Sequence, residues 1–330
     1  MTEGPSDLEG VVSDALTTYF GRTCVVSTLR REPYAFSTSY ALSVLEVELA
    51  DGTGVTMILK DLSDSGMLRD ARASKPAFLY EPLREIETYR SILGRAKLGT
   101  ATCYGAVTDQ ANGSYWLLLE RVAGRELWQV GELEAWQDAA RWLARLHGGV
   151  EVTTAAQVNP HLLEYDAAFY RRWWERARCF SAEADSRDAV AVVSAGLETA
   201  LEGLAQMPRC FVHGEFYPSN VIVGEPGGVR RICPVDWEMA GIGSGLLDLA
   251  ALIAGWEDEQ RLSLARSYLA ALTMDRRWPP EEGEFLRLLR CCELYLAVQW
   301  VGWSQRWTAP PEHARDWLGE AVKLSEELLA

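Results

Sequence analysis

The sequence lacks the features of zinc-binding, disulfide-stabilised and membrane-spanning proteins. Its seven cysteines form no Cys-x-x-Cys pair and its four histidines show no metal-ligand spacing, so we expect neither zinc nor disulfides. No stretch approaches the roughly 18 apolar residues that a membrane span requires. The amino terminus has no basic stretch followed by an apolar block. We therefore expect a cytoplasmic protein with no membrane partner.

Positive charge is also scarce. The chain has 32 basic and 47 acidic residues, a net charge of -15, which argues against a nucleic-acid partner. Residues 1–124 carry 12 basic and 16 acidic side chains, which leaves 20 basic and 31 acidic ones for residues 125–330. The acidic excess in the second part is compatible with a cationic acceptor, and also with an acidic surface that serves solubility.

One segment carries the pattern of a phosphoryl-transfer site. It runs from His213 through Glu215 to Asn220, and Asp236 follows sixteen residues later. In kinases the first carboxylate accepts the proton of the attacking hydroxyl, and the amide and second carboxylate hold magnesium against the nucleotide phosphates. His213 is expected to orient the loop by hydrogen bonding. Each fragment alone is typical of a turn, but the ordered set indicates a small-molecule kinase.

A β-hairpin is predicted to bring two of these side chains together. Residues 221–223 form a short β-branched run, residues 224–228 a turn rich in glycine, and residues 231–235 a return strand. Such a hairpin places Asp236 beside Asn220. The two side chains then supply oxygen ligands on one side of a cleft, as magnesium requires.

These motifs, together with Asp248-Leu249-Ala250, resemble those of the aminoglycoside phosphotransferase-like kinases. The resemblance spans most of the chain and implies an α+β, two-lobed protein-kinase-like fold. A small antiparallel-sheet lobe with one main helix would precede a larger, mostly helical lobe. The resemblance also implies ATP or GTP and Mg²⁺ as cofactors. The acceptor would be a hydroxyl of a small molecule, such as an aminoglycoside, a macrolide or choline, and Asp248 would brace the catalytic loop or cap its own helix.

The sequence departs from the family at Glu215, where the family usually has aspartate. The two side chains have similar acidities, with pKa values of about 4.3 and 3.9. The added methylene moves the carboxylate by about 1 Å, which can cost on the order of a hundredfold in rate. Either the acceptor pocket is set back to suit the longer side chain or turnover is slow. A third interpretation is an impaired kinase that binds nucleotide or a ligand without phosphoryl transfer.

Residues 1–124 are predicted to form the nucleotide-binding lobe, including the hinge, and residues 125–330 the catalytic and acceptor-binding lobe. Strands are expected over residues 24–29, 40–49 and 55–60, because these runs are rich in β-branched and apolar residues. The first hundred or so residues are therefore expected to form a sheet.

Lys60 closes the third of these strands, where kinases keep the lysine that contacts the α- and β-phosphates. A helix predicted over residues 82–93 should supply its carboxylate partner. Glu85 shares an apolar stripe with Tyr89, whereas Glu87 lies on a polar face. We therefore predict that Lys60 pairs with Glu85.

No glycine-rich loop joins the first two strands. Residues 30–39 make this connection instead, and their hydroxyls and backbone N–H groups could contact phosphate oxygens. The candidate hydroxyl residues are Ser37, Thr38 and Ser39. A cluster of serine and threonine is equally typical of an ordinary turn.

The hinge is predicted to follow a hairpin that turns at Asn112-Gly113. Backbone groups near Glu120 and Val122 would hold the adenine, and Gly124 would let the chain turn into the second lobe. A plain strand followed by a loop would have the same sequence pattern.

Twelve of the thirteen tryptophans lie after residue 124, and Trp300 and Trp303 recur at helical spacing. Most are expected in the core, although one or two could line an acceptor cleft that attracts a cationic or planar substrate. Helices are predicted over residues 133–147 and 314–329, and His147 is expected to be structural.

Overall fold

A five-stranded antiparallel sheet forms most of the first part of the chain, the N-lobe. The computed structural model describes residues 8–34, 39–180, 187–272, 278, 281–303 and 315–330. The helix before the sheet is α1 (Leu8–Phe20). The strands are β1 (Val26–Pro33), β2 (Leu42–Leu49), β3 (Gly54–Asp61), β4 (Cys103–Asp109) and β5 (Ser114–Glu120), and their order in the sheet is β1-β2-β3-β5-β4.

The sheet buries one face against α1. Leu45 and Val47 on β2 and Met57 on β3 are buried there with Val12 and Leu16 of the helix. Alternation along β2 explains this, because successive side chains of a strand point to opposite faces.

The prediction that β1 covers residues 24–29 was wrong at both ends. The strand begins at Val26 and continues to Pro33, which pairs with Ser43. Its charged residues were taken for a loop, but they belong to an edge strand whose side chains are largely exposed.

Between β3 and β4 the chain forms helical segments. They are α2 (Arg69–Ser74), α3 (Pro82–Glu87), a π-helical turn (Thr88–Leu93) and α4 (Gly94–Ala96). The helix expected over residues 82–93 is therefore present, but its second half is wound as a π-helix. The side-chain amide of Asn159 donates to the carbonyl of Arg84 at 2.9 Å, just before this change, and a side chain inserted at a helix carbonyl is a usual cause of such irregularity.

The second part of the chain, the C-lobe, is mostly helical. Its helices are α5 (Leu133–Gly149), α6 (Val152–Val158), α7 (Ala167–Phe180), α8 (Arg187–Gln206), α9 (Leu246–Ile253), α10 (Asp258–Ala271), α11 (Glu282–Trp303) and α12 (Trp317–Leu329). Its short strands are β6 (Arg125–Glu126), β7 (Leu163–Glu164), β8 (Arg209–Val212), β9 (Val221–Gly224), β10 (Arg231–Pro234) and β11 (Gly241–Ser244). They form the sheets β10-β9-β6 and β7-β11-β8. Within the described ranges, no helix is both long and apolar enough to cross a membrane.

One hydrophobic core runs through the C-lobe and continues into the N-lobe. It joins buried residues of α5, α9 and α11 to Ile86 of α3 and Leu117 of β5. Trp300 belongs to this core, and Trp303 packs against it, as expected for most of the tryptophans. This continuity packs α3 against the segments of the C-lobe that follow β8 and β10.

Candidate active site between the two lobes

The segment after β8 is held by a buried aspartate of α9. Asp248 accepts hydrogen bonds from the backbone N–H groups of His213, at 2.7 Å, and Gly214, at 2.8 Å. Gly214 has φ of 86°, and a Cβ there would overlap the Tyr165 hydroxyl and the Met239 carbonyl oxygen. The bracing suggested for Asp248 is therefore observed.

Asp248 is supported in turn by a buried histidine. His147 of α5 lies with Nε2 at 3.2 Å from Asp248 Oδ2 and Nδ1 at 2.9 Å from the Tyr268 hydroxyl. Both ring nitrogens have partners in the core, so the structural role expected for His147 agrees with its position.

The predicted hairpin is present as β9 and β10. The N–H of Val235 donates to the Asn220 carbonyl at 2.8 Å, which sets Asp236 beside Asn220. The Asn220 side-chain amide donates to the Glu215 carbonyl at 3.0 Å, so the side-chain oxygen of Asn220 remains as its acceptor. His213 makes the orienting contact that its sequence position suggested, with Nε2 at 3.0 Å from the Val235 carbonyl oxygen.

Lys60 lies between two carboxylates. Its Nζ is 2.7 Å from Glu85 Oε2 on α3 and 2.6 Å from Asp236 Oδ1. The other oxygen of Glu85, Oε1, accepts the backbone N–H of Trp237 at 3.2 Å. Asp236 itself has a positive φ of 65°, which is rare for a residue other than glycine and persists only where surrounding contacts enforce it.

The charges of these groups depend on one another. Burial acts against ionisation of Asp236, but the ammonium of Lys60 outweighs it and lowers the pKa of Asp236. Burial raises the pKa of Glu85 to about 7, although Lys60 opposes this shift. Burial also lowers the pKa of His213, so its imidazole is neutral at neutral pH. This favours an orienting role for His213.

Glu215 is half-buried beside the same cluster. Burial, followed by the negative charges of Glu238 and Asp236, raises its pKa well above the ordinary value. The ammonium groups of Lys75 and Lys60 oppose this shift. A carboxylate with a raised pKa holds a proton more tightly, which suits a group that must accept one.

No motif of the sequence indicated a role for three charged residues of this site, Glu238, Lys75 and Arg84. Glu238 receives a salt bridge from Lys75 Nζ at 2.6 Å, and its backbone carbonyl accepts Arg84 Nη1 at 2.8 Å. Lysine is rare in this chain, which has four, and Lys60 and Lys75 are two of them. This rarity was the one feature of the sequence that could have drawn attention to Lys75.

Ser39 also reaches this cluster, since its hydroxyl donates to Glu238 Oε1 at 3.1 Å. This contact places Ser39 at the edge of the site. The other two hydroxyl candidates, Ser37 and Thr38, lie outside the described residues.

The end of β5 is held by an arginine from the C-lobe. Arg231 of β10 binds both carboxylate oxygens of Glu120, at 2.5 and 2.9 Å, and also donates to the Thr100 carbonyl. The backbone N–H of Glu120 donates to the Thr102 carbonyl at 2.8 Å. That N–H is therefore not among the backbone groups left for a nucleobase, and Val122 lies half-exposed beyond it.

The side chains of this cluster combine several carboxyl groups with fixed cations. Four carboxyl groups, those of Glu85, Glu215, Asp236 and Glu238, lie among the described residues with the cations of Lys60, Lys75 and Arg84. When all are ionised, one negative charge of this set remains uncompensated. Carboxylate oxygens with uncompensated charge are compatible with a hard divalent cation.

Comparison with known proteins places this arrangement in a family. Solved structures of similar fold include choline kinase LicA from Streptococcus pneumoniae, with 15% identity, a TM-score of 0.59 and coverage of 98% of this chain and 100% of that one. Macrolide 2'-phosphotransferase MphH from Brachybacterium faecium has 15% identity, a TM-score of 0.58 and coverage of 97% and 98%. A GDP complex of an aminoglycoside 2'-phosphotransferase has 12% identity, a TM-score of 0.57 and coverage of 97% of each chain.

These likenesses confirm the predicted two-lobed, kinase-like fold. No curated protein matches the chain significantly. The sequence profile of the phosphotransferase enzyme family, APH, matches residues 49–286, which is most of the chain. The protein therefore belongs to the APH phosphotransferase enzyme family, as the motifs around Glu215 and Asp236 predicted.

Proposed function

We propose that this phosphotransferase uses ATP or GTP, with Mg²⁺, to phosphorylate a hydroxyl group of a small molecule. Glu215 accepts the hydroxyl proton, the acceptor oxygen forms a bond to the γ-phosphorus, and the bond to the β-phosphate oxygen breaks to release the diphosphate. The observation that carries the proposal is the convergence of Lys60, Glu85 and Asp236 within hydrogen-bonding distance.

The donor set fits magnesium. Asn220 offers an amide oxygen and Asp236 a carboxylate whose lowered pKa keeps it ionised, and both are hard oxygen ligands. Magnesium bound by these residues would neutralise charge on the nucleotide phosphates. Lys60, oriented by Glu85, is the residue we assign to the α- and β-phosphates, and His213 orients the loop.

We assign the nucleobase to backbone groups near Glu120 and Val122, and the lobe boundary to Gly124. A Cβ at Gly124 would collide with the Val223 carbonyl oxygen, so the chain between β5 and β6 passes close to β9 at this residue. Ser39, whose hydroxyl binds Glu238, is a candidate for contact with phosphate oxygens.

The candidate acceptors to test are those that the names of the structural neighbours mention, which are choline, aminopropanol, aminoglycosides and macrolides. A screen of these compounds with radiolabelled γ-phosphate nucleotide is the direct test. We expect transfer to at least one hydroxylated compound, with loss of transfer in Glu215→Gln. Transfer to none of them, with magnesium-nucleotide binding intact, would refute the assignment of these acceptor classes.

A binder that takes up nucleotide without phosphoryl transfer is the second candidate. The presence of Glu215 in place of the family's usual aspartate is the observation that favours it. Single-turnover measurements separate the two, because such a binder retains γ-labelled nucleotide unchanged with every acceptor.

A further inference from the structure

Lys75 is a second lysine at the edge of the reacting centre. Its side chain is only 5% exposed, and its Nζ is bonded to Glu238 at 2.6 Å. Glu238 lies two residues after the proposed metal ligand Asp236. The ring of Tyr40 lies between the two lysines, with its centroid 4.8 Å from Lys75 Nζ and 5.9 Å from Lys60 Nζ.

The two ammonium groups differ in the number of carboxylates that they contact. Lys60 bonds to two carboxylates, whereas Lys75 bonds to Glu238 alone among the described residues. An ammonium has three N–H donors, so Lys75 keeps donors that no described oxygen accepts. Its charge is already balanced by Glu238 and the ring of Tyr40, and a remaining N–H donor is available for an anionic ligand.

The position of Lys75 is fixed by the connection between β3 and α3. Leu68 donates its N–H to the Ser39 carbonyl at 3.0 Å, and Ala41 donates to the Gly66 carbonyl at 2.8 Å. Ser39 in turn donates its hydroxyl to Glu238. The N–H of Lys75 donates to the Ala71 carbonyl at 2.7 Å, so the segment that carries Lys75 is tied to residues 39–41 and, through Ser39, to Glu238.

Lys75 and Lys60 contact different carboxyl groups of the cluster. Lys75 pairs with Glu238, whereas Lys60 lies against Glu85 and Asp236. With Lys60 assigned to the inner phosphates, Lys75 is the ammonium group of the described cluster that is left for the terminal phosphate. The terminal phosphate has to lie between the base and the rest of the nucleotide, because the attacking hydroxyl must reach both.

We propose that Lys75 binds the terminal, transferred phosphate of the nucleotide, so that the site uses two lysines, with Lys60 serving the inner phosphates. The assignment rests on the proposed nucleotide-dependent function. Lys75 thus distinguishes a nucleoside triphosphate from a diphosphate. Its bond to Glu238 keeps the ammonium placed when the γ-phosphate is absent.

The test compares binding of a non-hydrolysable ATP analogue and of ADP, each with magnesium, by calorimetry. In Lys75→Met we expect affinity for the ATP analogue to fall roughly 10- to 100-fold, because one charge-assisted hydrogen bond is lost, while ADP affinity changes by less than about twofold. Lys60→Met should weaken both ligands. Lys323→Met, on the exposed face of α12, is the matched control and should change neither.

Lys75→Gln provides a second variant that keeps N–H donors and removes the charge, with folding verified by thermal unfolding. We expect it to show the same selective loss. Equal weakening of the ATP analogue and ADP would overturn the proposal, since it would mean that Lys75 only supports Glu238. If the unmodified protein binds neither nucleotide, both the proposed function and the role of Lys75 are refuted. If it binds both nucleotides but Lys75→Met weakens them equally, only the role of Lys75 is refuted.

Discussion

Shortening the proposed base by one methylene tests the central assignment. The backbone of Glu215 is held at three points, because its carbonyl accepts the Tyr217 N–H at 2.7 Å and the Asn220 amide at 3.0 Å, and its N–H lies 3.3 Å from His213 Nδ1. The loop therefore cannot advance to compensate for a shorter side chain. In Glu215→Asp the carboxylate should retreat by about 1 Å, which we expect to lower kcat about a hundredfold.

A hundredfold loss corresponds to about 2.7 kcal/mol of transition-state stabilisation. The assay is single-turnover transfer of labelled phosphate to the acceptor found in the screen, with nucleotide affinity measured in parallel. Glu225→Asp, at the exposed end of the β9–β10 hairpin, is the matched control and should leave the rate unchanged. An unchanged or faster rate in Glu215→Asp would refute the reasoning, because the site would then not be fitted to the longer side chain.

Three further perturbations follow from the same geometry. Lys60→Met leaves the buried carboxylate of Glu85 without its cation, so we expect the free energy of unfolding, measured by urea titration, to fall by about 3–5 kcal/mol. A change within experimental error would mean that the pair is not buried as described. Gly214→Ala places a Cβ at a backbone position with positive φ, where it collides with the Met239 carbonyl oxygen. We expect the free energy of unfolding to fall by at least about 1–2 kcal/mol and most of the activity to be lost. An unaltered melting temperature would contradict this. The raised pKa of Glu215 predicts that kcat falls as the pH is lowered through that pKa, because the protonated carboxyl cannot accept the hydroxyl proton. A plot of kcat against pH that stays flat on its acid side would count against Glu215 as the base.

The sequence specified much of the site through local spacing. Asn220 and Asp236 flank a hairpin whose strands and turn are evident in the residues between them, and pairing of β9 with β10 is enough to bring them together. Glu85 was distinguished from Glu87 because a helix turns about 100° per residue, so that only Glu85 shares the buried face with Tyr89. Elements with strong periodicity, such as α5, were predicted within two residues of their ends.

Contacts between segments distant in the chain could not be predicted in this way. The salt bridge of Lys75 with Glu238 joins residues 163 positions apart, and the binding of Glu120 by Arg231 spans 111 positions. Neither pair has a local pattern, because the partners meet only when the β3–α3 connection and β10 pack against the other lobe. The extent of β1 could not be predicted either. Its charged residues are typical of a loop in the sequence, and they form a strand because they pair with β2.

The amino-acid sequence by itself therefore determined the family, the hairpin that sets Asp236 beside Asn220, and the pairing of Lys60 with Glu85, since each depends on spacing within one or two adjacent elements. Only the tertiary structure decided which further charges surround that segment, including Glu238 and Lys75. The physical reason is that burial and ion pairing depend on distances through space, and these are set by packing of the lobes rather than by the order of residues.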